Sequence, residues 1–314
     1  MRPILLILWL AAALFLYTSC GAGRTAAPRP QDSNYLEPYI LIGESGKSVK
    51  RTASDIIGRL FMQNFQILGK YAPADDPGRF VIVVTNPDLL NAVQGSKPAA
   101  ALAAVVRIAI TREGEMTYVS CQNPDYWASA CLQEDYLSAA EPIALFKQDL
   151  LAAMPRMRGR FNRPFGNSQG HPLTAEALHD YRFQRGAESL NDLVNLAIFD
   201  SFEGAVAAIE KRLAASRLIT KVFGMTVPGR QVMLFGLALG GDSGEKRILT
   251  LLDADRLKRT ASLPYELLVS GNRVAMLPVR FRLPLSFPDM DRKTYRRLEA
   301  LEGDISSLMT TLVE

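Results

Sequence analysis

The chain has 314 residues, with 36 lysines and arginines against 32 aspartates and glutamates, and a formal net charge of +4. A balance so close to neutral excludes the strong electrostatic hold on nucleic acid or anionic lipid that a basic protein has. The length is sufficient for two domains of ordinary size. Only two histidines occur, so ligands for a metal site are scarce, and neither a metal nor a cofactor is predicted.

The amino terminus predicts a targeting signal. Arg2 is the only charge before an apolar run over residues 4–16, which is too short to span a membrane. The run ends in small residues directly before Cys20, an arrangement that resembles the lipobox of bacterial lipoprotein signals. We therefore expect a signal peptide over residues 1–19, lipidation of Cys20 and a tether over residues 20–34. An ordinary secretory signal that contains a cysteine is the alternative.

Several acyl chains together anchor a protein stably to a membrane. Lipidation therefore predicts a location in the bacterial cell envelope, facing the periplasm. Gly21 follows the lipidated cysteine in place of the aspartate that favours inner-membrane retention, so the outer membrane is preferred. The expected partners are the membrane, through the lipid, and either an envelope protein or a small ligand. Nucleic acid is not an expected partner, and the sequence does not determine the oligomeric state.

Residues 35–154 predict a first α+β domain. The predicted elements are strands at Tyr39–Ile42, Phe65–Tyr71 and Phe80–Val84, a hairpin of Leu102–Ile110 with Met116–Cys121, and helices at Ser48–Gln63, Asn86–Val93 and Gln133–Ala153. Apolar residues recur at helical spacing in the helices, and β-branched residues dominate the strands. The order β-α-β-β-(α)-β-β-α is typical of a mainly antiparallel sheet with helices on one face.

Two cysteines lie in this first domain. Cys121 and Cys131 flank residues 122–130, which we interpret as a loop that begins at Asn123. An oxidising compartment favours a disulfide between them, and closing so short a loop would contribute about 2–3 kcal/mol. Free buried thiols are one alternative. A redox-active dithiol is the other, although the spacing is not Cys-x-x-Cys.

Residues 155–190 predict a linker between two domains. Arginines alternate there with aromatic, proline and glycine residues, a composition typical of a solvated segment or of one that contacts acidic glycans or lipid headgroups. Both histidines, His171 and His179, belong to this segment, which places them away from either predicted core.

Residues 191–314 predict a second α+β domain that repeats the first. A buried strand at Leu193–Phe199 leads into a helix capped by Asp200 and Glu203. Three further matches support the repeat: Ser48–Phe65 with Ser201–Leu218, Phe80–Leu90 with Arg247–Leu257, and the turn at Gly114 with the turn at Gly271. The matching element order indicates a duplication rather than a chance likeness of apolar patterns.

These segments resemble a bacterial family, the domain-of-unknown-function 302 family. The resemblance rests on Ser-Phe-Glu-Gly-Ala-Val at the start of a helix (Ser201–Val206), on Asn86-Pro87-Asp88 after a buried strand, and on Asn123-Pro124 after another. It implies a small α+β fold similar to the TATA-binding-protein-like class, and no established activity. The two turns follow strand ends, where a cleft can form, so Asn86, Pro87, Asp88, Asn123 and Pro124 are the candidate ligand-facing residues.

The segment Gly43–Ser48 has the strand-to-helix position of a phosphate-binding loop and contains Gly-Lys-Ser. Leu41 stands where the first glycine of that motif belongs, and the second domain has Asp200-Ser201 at the equivalent turn. Both observations favour a helix cap over a nucleotide site.

Because the chain contains no complete catalytic motif, the sequence favours a non-enzymatic binding or assembly module, with a partner on the exposed sheet faces. The alternative is a periplasmic redox or hydrolytic enzyme that uses Cys121 and Cys131. We also expect the apolar strand Val232–Leu239 to be buried on both faces, the two sheets to pack into one unit, and Val279–Phe287 to form a last strand with a solvated face.

Overall fold

The computed structural model describes residues 35–159, 161–167 and 173–314, and it confirms the α+β class. The strands are β1 (Tyr39–Ser45), β2 (Gln66–Tyr71), β3 (Arg79–Thr85), β4 (Val106–Glu113), β5 (Met116–Gln122), β6 (Arg163–Phe165), β7 (Val194–Ile198), β8 (Ile219–Thr226), β9 (Val232–Leu239), β10 (Tyr265–Ser270) and β11 (Arg273–Met276). The α-helices are α1 (Val49–Met62), α2 (Pro87–Val93), α3 (Pro124–Leu132), α4 (Tyr136–Ala153), α5 (Ala175–His179), α6 (Phe202–Ala215), α7 (Glu245–Leu252), α8 (Val279–Ser286) and α9 (Arg292–Thr310).

The strands form two antiparallel sheets. The first has the order β2-β3-β4-β5-β1-β6, and the second has the order β8-β9-β10-β11-β7. Each sheet contains a hairpin, β4 with β5 and β10 with β11, whose turn has a glycine at positive φ, Gly114 and Gly271. Glycine adopts this conformation without the steric cost that a side chain would add.

One long helix packs on a face of each sheet. Helix α1 contacts β2, β3 and β4, and α6 contacts β8, β10 and β11. In α6 the buried residues are Ala205, Ile209 and Leu213, at the spacing of one helix face. The cap of α6 differs from the prediction: Ser201, not Asp200, accepts the hydrogen bond from the Gly204 amide (3.0 Å). The predicted buried strand before it is β7, a half-exposed edge of the second sheet.

The opposite faces of the two sheets pack on each other. Side chains alternate along a strand, and the face of β4 that carries Arg107 and Thr111 contacts the second half of the chain. Arg107 pairs with Glu266 on β10, and the Thr111 hydroxyl lies 3.2 Å from that of Thr260. One apolar cluster accordingly contains residues of both sheets, and Asn34–Glu314 forms a single compact unit. The expectation that the sheets pack into one unit is confirmed.

The edge strands β2 and β8 also meet. A Cβ atom at Gly69 would lie 2.2 Å from the carbonyl oxygen of Val222, so this approach requires glycine at that position. Strand β9 lies between β8 and β10, and Leu234, Phe235 and Leu237 are buried, which confirms that Val232–Leu239 is an interior strand. The sheet faces that lie away from α1 and α6 are therefore largely buried within the chain.

Two predicted elements are wrong. Val279–Phe287 is the helix α8 rather than a strand; nearly all of its residues are buried, so it has no polar face from which its period could be read. Arg247–Leu251 lies in helix α7, and the strand that precedes β10 in the second sheet is β9. A short apolar run does not distinguish a strand from a helix.

The segment between the halves is more structured than a solvated linker. Within it, β6 pairs with β1 and extends the first sheet. Leu178, Tyr181 and Leu190 are buried against the cores. This burial arises from long-range contacts that the local arginine-rich composition does not show.

Two buried arginines share one carboxylate in the layer between the sheets. Glu266 accepts hydrogen bonds from Arg107 and from the Arg282 Nε atom (2.8 Å), and the three side chains are at most 4% exposed. Arg107 also donates to the Gln122 side chain (2.9 Å). Burial lowers the pKa of both guanidinium groups, because it penalises their charged form.

The carboxyl end of α8 is held by tyrosines from elsewhere in the chain. Tyr39, Tyr126 and Tyr181 donate hydrogen bonds of 3.0, 2.9 and 3.0 Å to the carbonyls of Ser286, Leu285 and Pro284. The last carbonyls of a helix have no partner within the helix, so these bonds satisfy groups that burial would otherwise leave unpaired.

We predict that Glu266→Gln lowers the free energy of unfolding by about 3–5 kcal/mol, because it leaves two buried guanidinium groups without a counter-charge. Denaturant unfolding measures the change. The matched control is Glu134→Gln, which removes the exposed Lys97–Glu134 pair (2.8 Å) and should cost at most about 1 kcal/mol. Equal losses in the two variants would contradict the role of the cluster.

Candidate functional site

The larger described cavity is an open groove between α7 and α9, with a volume of about 410 Å³. It is lined by Asp242, Lys246, Arg247, Thr250, Leu251, Arg297 and Ala300. We call this the α7–α9 groove. Its walls follow from helical periodicity: Ile248 and Leu252 on α7, and Leu298 and Leu301 on α9, point into the core. The polar residues between them therefore face outward.

The α7–α9 groove is basic. Three cationic side chains and one carboxylate line it. Arg247 forms an ion pair with Asp304, whereas Lys246 and Arg297 have no ion pair with any described residue. No serine, cysteine or histidine is among the lining residues. The groove can thus hold an anionic group but offers no nucleophile of those types.

The start of α9 adds to this charge. Arg292, Lys293, Arg296 and Arg297 occupy its first two turns, and the first turn contains no acidic residue. Cations are unfavourable at this end of a helix, where the macrodipole is positive. The N-cap residue Asp291, which accepts a hydrogen bond from the Thr294 amide (2.6 Å), offsets part of that repulsion, and a bound anion would add to this effect. The clustering of these cationic residues is visible in the sequence.

The structure shows the predicted ligand-facing turn at Asn86, Pro87 and Asp88 to be a helix cap. Asn86 is buried, and its Oδ1 atom accepts from the Leu89 amide (2.9 Å) while its Nδ2 atom donates to Asp88 (3.1 Å). Pro87 occupies the first position of α2, where a missing N–H costs nothing.

The second predicted turn, Asn123-Pro124, begins helix α3. The Asn123 side chain donates to the Glu37 carbonyl (2.9 Å), and its Oδ1 atom is buried without a hydrogen-bond partner among the described residues. The alanine-rich 3₁₀ segment Pro98–Ala103 contacts both α2 and α3 and fills the space between the turns. Neither turn lines either of the two described cavities, and ligand binding at these turns stays a prediction.

The structure also corrects the predicted disulfide. Cys121 and Cys131 are free, buried thiols, the first on β5 and the second in α3. Most of the residues between them belong to helix α3 rather than to a loop. Burial raises the pKa of each thiol to about 12, so the reactive thiolate is disfavoured at both.

Other predicted features are placed as follows. His179 ends α5, with its ring against Tyr136 (6.3 Å between centroids), while Cys20 and His171 lie outside the described residues. Among the described residues no group of three or more side chains could hold a metal ion. Within the same ranges, no helix combines the length and apolar content that crossing a membrane requires.

Comparisons with protein families, with curated proteins and with solved structures found no match for this chain. What the protein does must therefore be inferred from its own residues.

One titratable group beside the α7–α9 groove joins the two halves. Glu245, the first residue of α7, is 1% exposed and accepts hydrogen bonds from the Tyr71 hydroxyl (2.7 Å) and the Ala74 amide (2.9 Å). Burial raises the pKa of Glu245 from 4.5 to about 7. The carboxyl group is therefore partly protonated near neutral pH in the folded protein but ionised in the unfolded chain.

We predict that this group makes the protein less stable as pH rises. The folded state binds more protons than the unfolded state between the ordinary pKa of 4.5 and about 7, so the stabilisation is complete below that window and lost above it. The loss is about 3 kcal/mol, and Glu245→Gln should remove it. Denaturant unfolding across the window measures it, with Glu115→Gln, whose side chain is 99% exposed, as control. Parallel pH profiles for wild type and Glu245→Gln would contradict the assignment.

Proposed function

We propose that this chain is a lipid-anchored protein of the bacterial cell envelope that acts as a non-enzymatic binding module. In this proposal the lipid is attached to Cys20, after removal of residues 1–19, and the body faces the periplasm from the outer membrane. The lipobox-like residues before Cys20 and the apolar run preceding them support the anchor.

We further propose that the body arose by duplication and is related to the domain-of-unknown-function 302 family. The sheets support the duplication: β2-β3-β4-β5-β1 and β8-β9-β10-β11-β7 follow the chain in the same order. Helices α1 and α6 each have 14 residues and a serine cap. The first sheet differs in carrying the additional strand β6.

The α7–α9 groove is the observation that best supports a binding function. An open cavity of about 410 Å³ with two cations free of ion pairs suits an acidic segment of an envelope partner. Charge-assisted hydrogen bonds from Lys246 and Arg297 would hold its carboxylates. The competing enzymatic function, which would use Cys121 and Cys131, is disfavoured because both thiols are buried and their pKa values are raised.

Lipidation is tested by metabolic labelling of cells with a palmitate analogue. We expect wild type to be labelled and Cys20→Ala to be unlabelled, since the cysteine sulfur is the attachment point in the proposed pathway. Equal labelling of the two proteins would eliminate the anchor.

The groove is tested with a fluorescent polyglutamate peptide and the full-length protein in a nonionic detergent. We expect saturable binding that weakens as salt is added, because salt screens exposed charges. Lys246→Glu combined with Arg297→Glu should weaken binding at least tenfold, since attraction becomes repulsion. The control, with the same change of charge, is Lys211→Glu with Arg217→Glu, both exposed outside the groove. Equal affinities in the two double variants would refute the groove as the binding surface.

A further inference from the structure

A second cavity, of about 220 Å³, lies at the turn between β1 and α1. It is lined by Glu44, Ser45, Gly46, Lys47, Thr52, Asp55, Pro155, Arg156, Met157 and Arg158. We call it the β1–α1 cavity. It belongs to the first half of the chain and shares no residue with the α7–α9 groove.

One wall of the β1–α1 cavity is the start of a helix. Strand β1 ends at Ser45, and α1 begins at Val49, with the Ser48 side chain accepting from the Arg51 amide (3.3 Å). A Cβ atom at Gly46 would meet nothing within 4 Å, so the chain is open at this point. The first turn of a helix carries partial positive charge, which favours an anion.

The opposite wall brings two arginines from the segment that follows α4. Glu44 and Arg158 exchange backbone hydrogen bonds (3.2 and 3.1 Å), which fix this segment against β1. Arg156 and Arg158 have no ion pair with any described residue. Two guanidinium groups thus line the same small cavity as the beginning of α1.

The acidic side chains of the cavity do not cancel this charge. Lys47 contacts Asp55 at 2.6 Å, and Arg51 lies 3.7 Å from the same carboxylate. The hydrogen bond from Lys47 lowers the pKa of Asp55, which therefore stays ionised and paired. Glu44 is the remaining carboxylate, against the two arginines.

Thr52 provides an independent sign of a missing ligand. It lines the cavity from the first turns of α1, it is 3% exposed, and its hydroxyl has no hydrogen-bond partner among the described residues. Buried hydroxyl groups are nearly always paired, because an unpaired one forfeits its hydration without compensation. An oxygen atom of a bound anion would accept a hydrogen bond from it.

We propose that the β1–α1 cavity binds a phosphate group, held by Arg156, Arg158, the Thr52 hydroxyl and the first turn of α1. The volume suits one tetrahedral oxyanion and is below the range typical of drug-sized ligands. Leu41 argues against a nucleotide site at this turn, but the binding of a single phosphate group does not require one. The proposal goes beyond the acidic-segment binding assigned to the α7–α9 groove and does not depend on it.

Isothermal titration of inorganic phosphate into the full-length protein in nonionic detergent tests the proposal. We expect saturable binding that Arg156→Gln with Arg158→Gln weakens at least tenfold, since two charge-assisted contacts are lost. Arg185→Gln with Arg217→Gln, both exposed and outside the cavity, is the charge-matched control and should leave binding unchanged. No saturable binding, or equal loss in both double variants, would overturn the proposal.

Thr52→Val separates a binding role from a merely structural one. The methyl group replaces an unpaired hydroxyl, so the free protein should unfold no more easily than wild type, while its phosphate affinity falls several-fold. Unchanged phosphate affinity would remove Thr52 from the site.

Titration with glycerol phosphate tests the source of the phosphate group: tighter binding than inorganic phosphate indicates a lipid headgroup, and weaker binding indicates free phosphate.

The variant Lys246→Glu with Arg297→Glu should bind phosphate as wild type does. A loss of binding in this variant would assign the phosphate to the α7–α9 groove instead.

Discussion

The pairing of Arg107 and Arg282 with Glu266 is the interaction on which the rest of the structure depends. Apolar contacts between two packed sheets are not directional, so they oppose a shift of register less sharply than a buried ion pair does. A slip at this interface would leave a guanidinium group buried without its carboxylate, at a cost of several kcal/mol. The cluster therefore sets the register between the two halves. Arg282 also lies over the rings of Trp127 and Tyr265, which further restricts its position.

This arrangement determines where ligands can bind. The sheet faces that lie away from α1 and α6 are largely buried within the chain, which leaves the outer helices and the turns at the strand ends as surfaces for ligands. Both proposed sites are of this kind, the α7–α9 groove in the second half and the β1–α1 cavity in the first. Each contains cationic side chains that form no ion pair with a described residue, whereas the buried Arg107 and Arg282 are paired with Glu266. Glu245 connects the α7–α9 groove to the packing of the two halves. It is the first residue of α7, which forms one wall of the groove, and its buried side chain accepts a hydrogen bond from Tyr71 of the other half.

The candidate sites were only partly accessible to sequence reasoning. In the sequence, the turn Gly43–Ser48 has the position of a phosphate loop, and Leu41 argues against a nucleotide site there. The two arginines that line its cavity lie more than a hundred residues later, in a segment interpreted as a solvated linker. They reach the turn because the backbones of Glu44 and Arg158 pair, and such a long-range bridge leaves no local signal. In contrast, Asn86 has a local role as a cap, and a cap and a ligand-facing turn have the same residue types.

By itself, the sequence determined the α+β class, the helices α1 and α6, the two glycine hairpin turns and the interior strand Val232–Leu239, because each depends on the period of apolar residues or on local turn chemistry. Only the tertiary structure decided that α8 is a helix, that Cys121 and Cys131 remain free thiols, and that Arg107 and Arg282 are buried. The physical reason is common to these cases. A charged side chain can be solvated or buried, and an apolar run without a polar face does not reveal its own environment. In both cases the outcome depends on which distant residues lie against it in the folded chain. For Arg107 and Arg282 that residue is Glu266, which is far from Arg107 along the chain and lies beside it only in the folded protein.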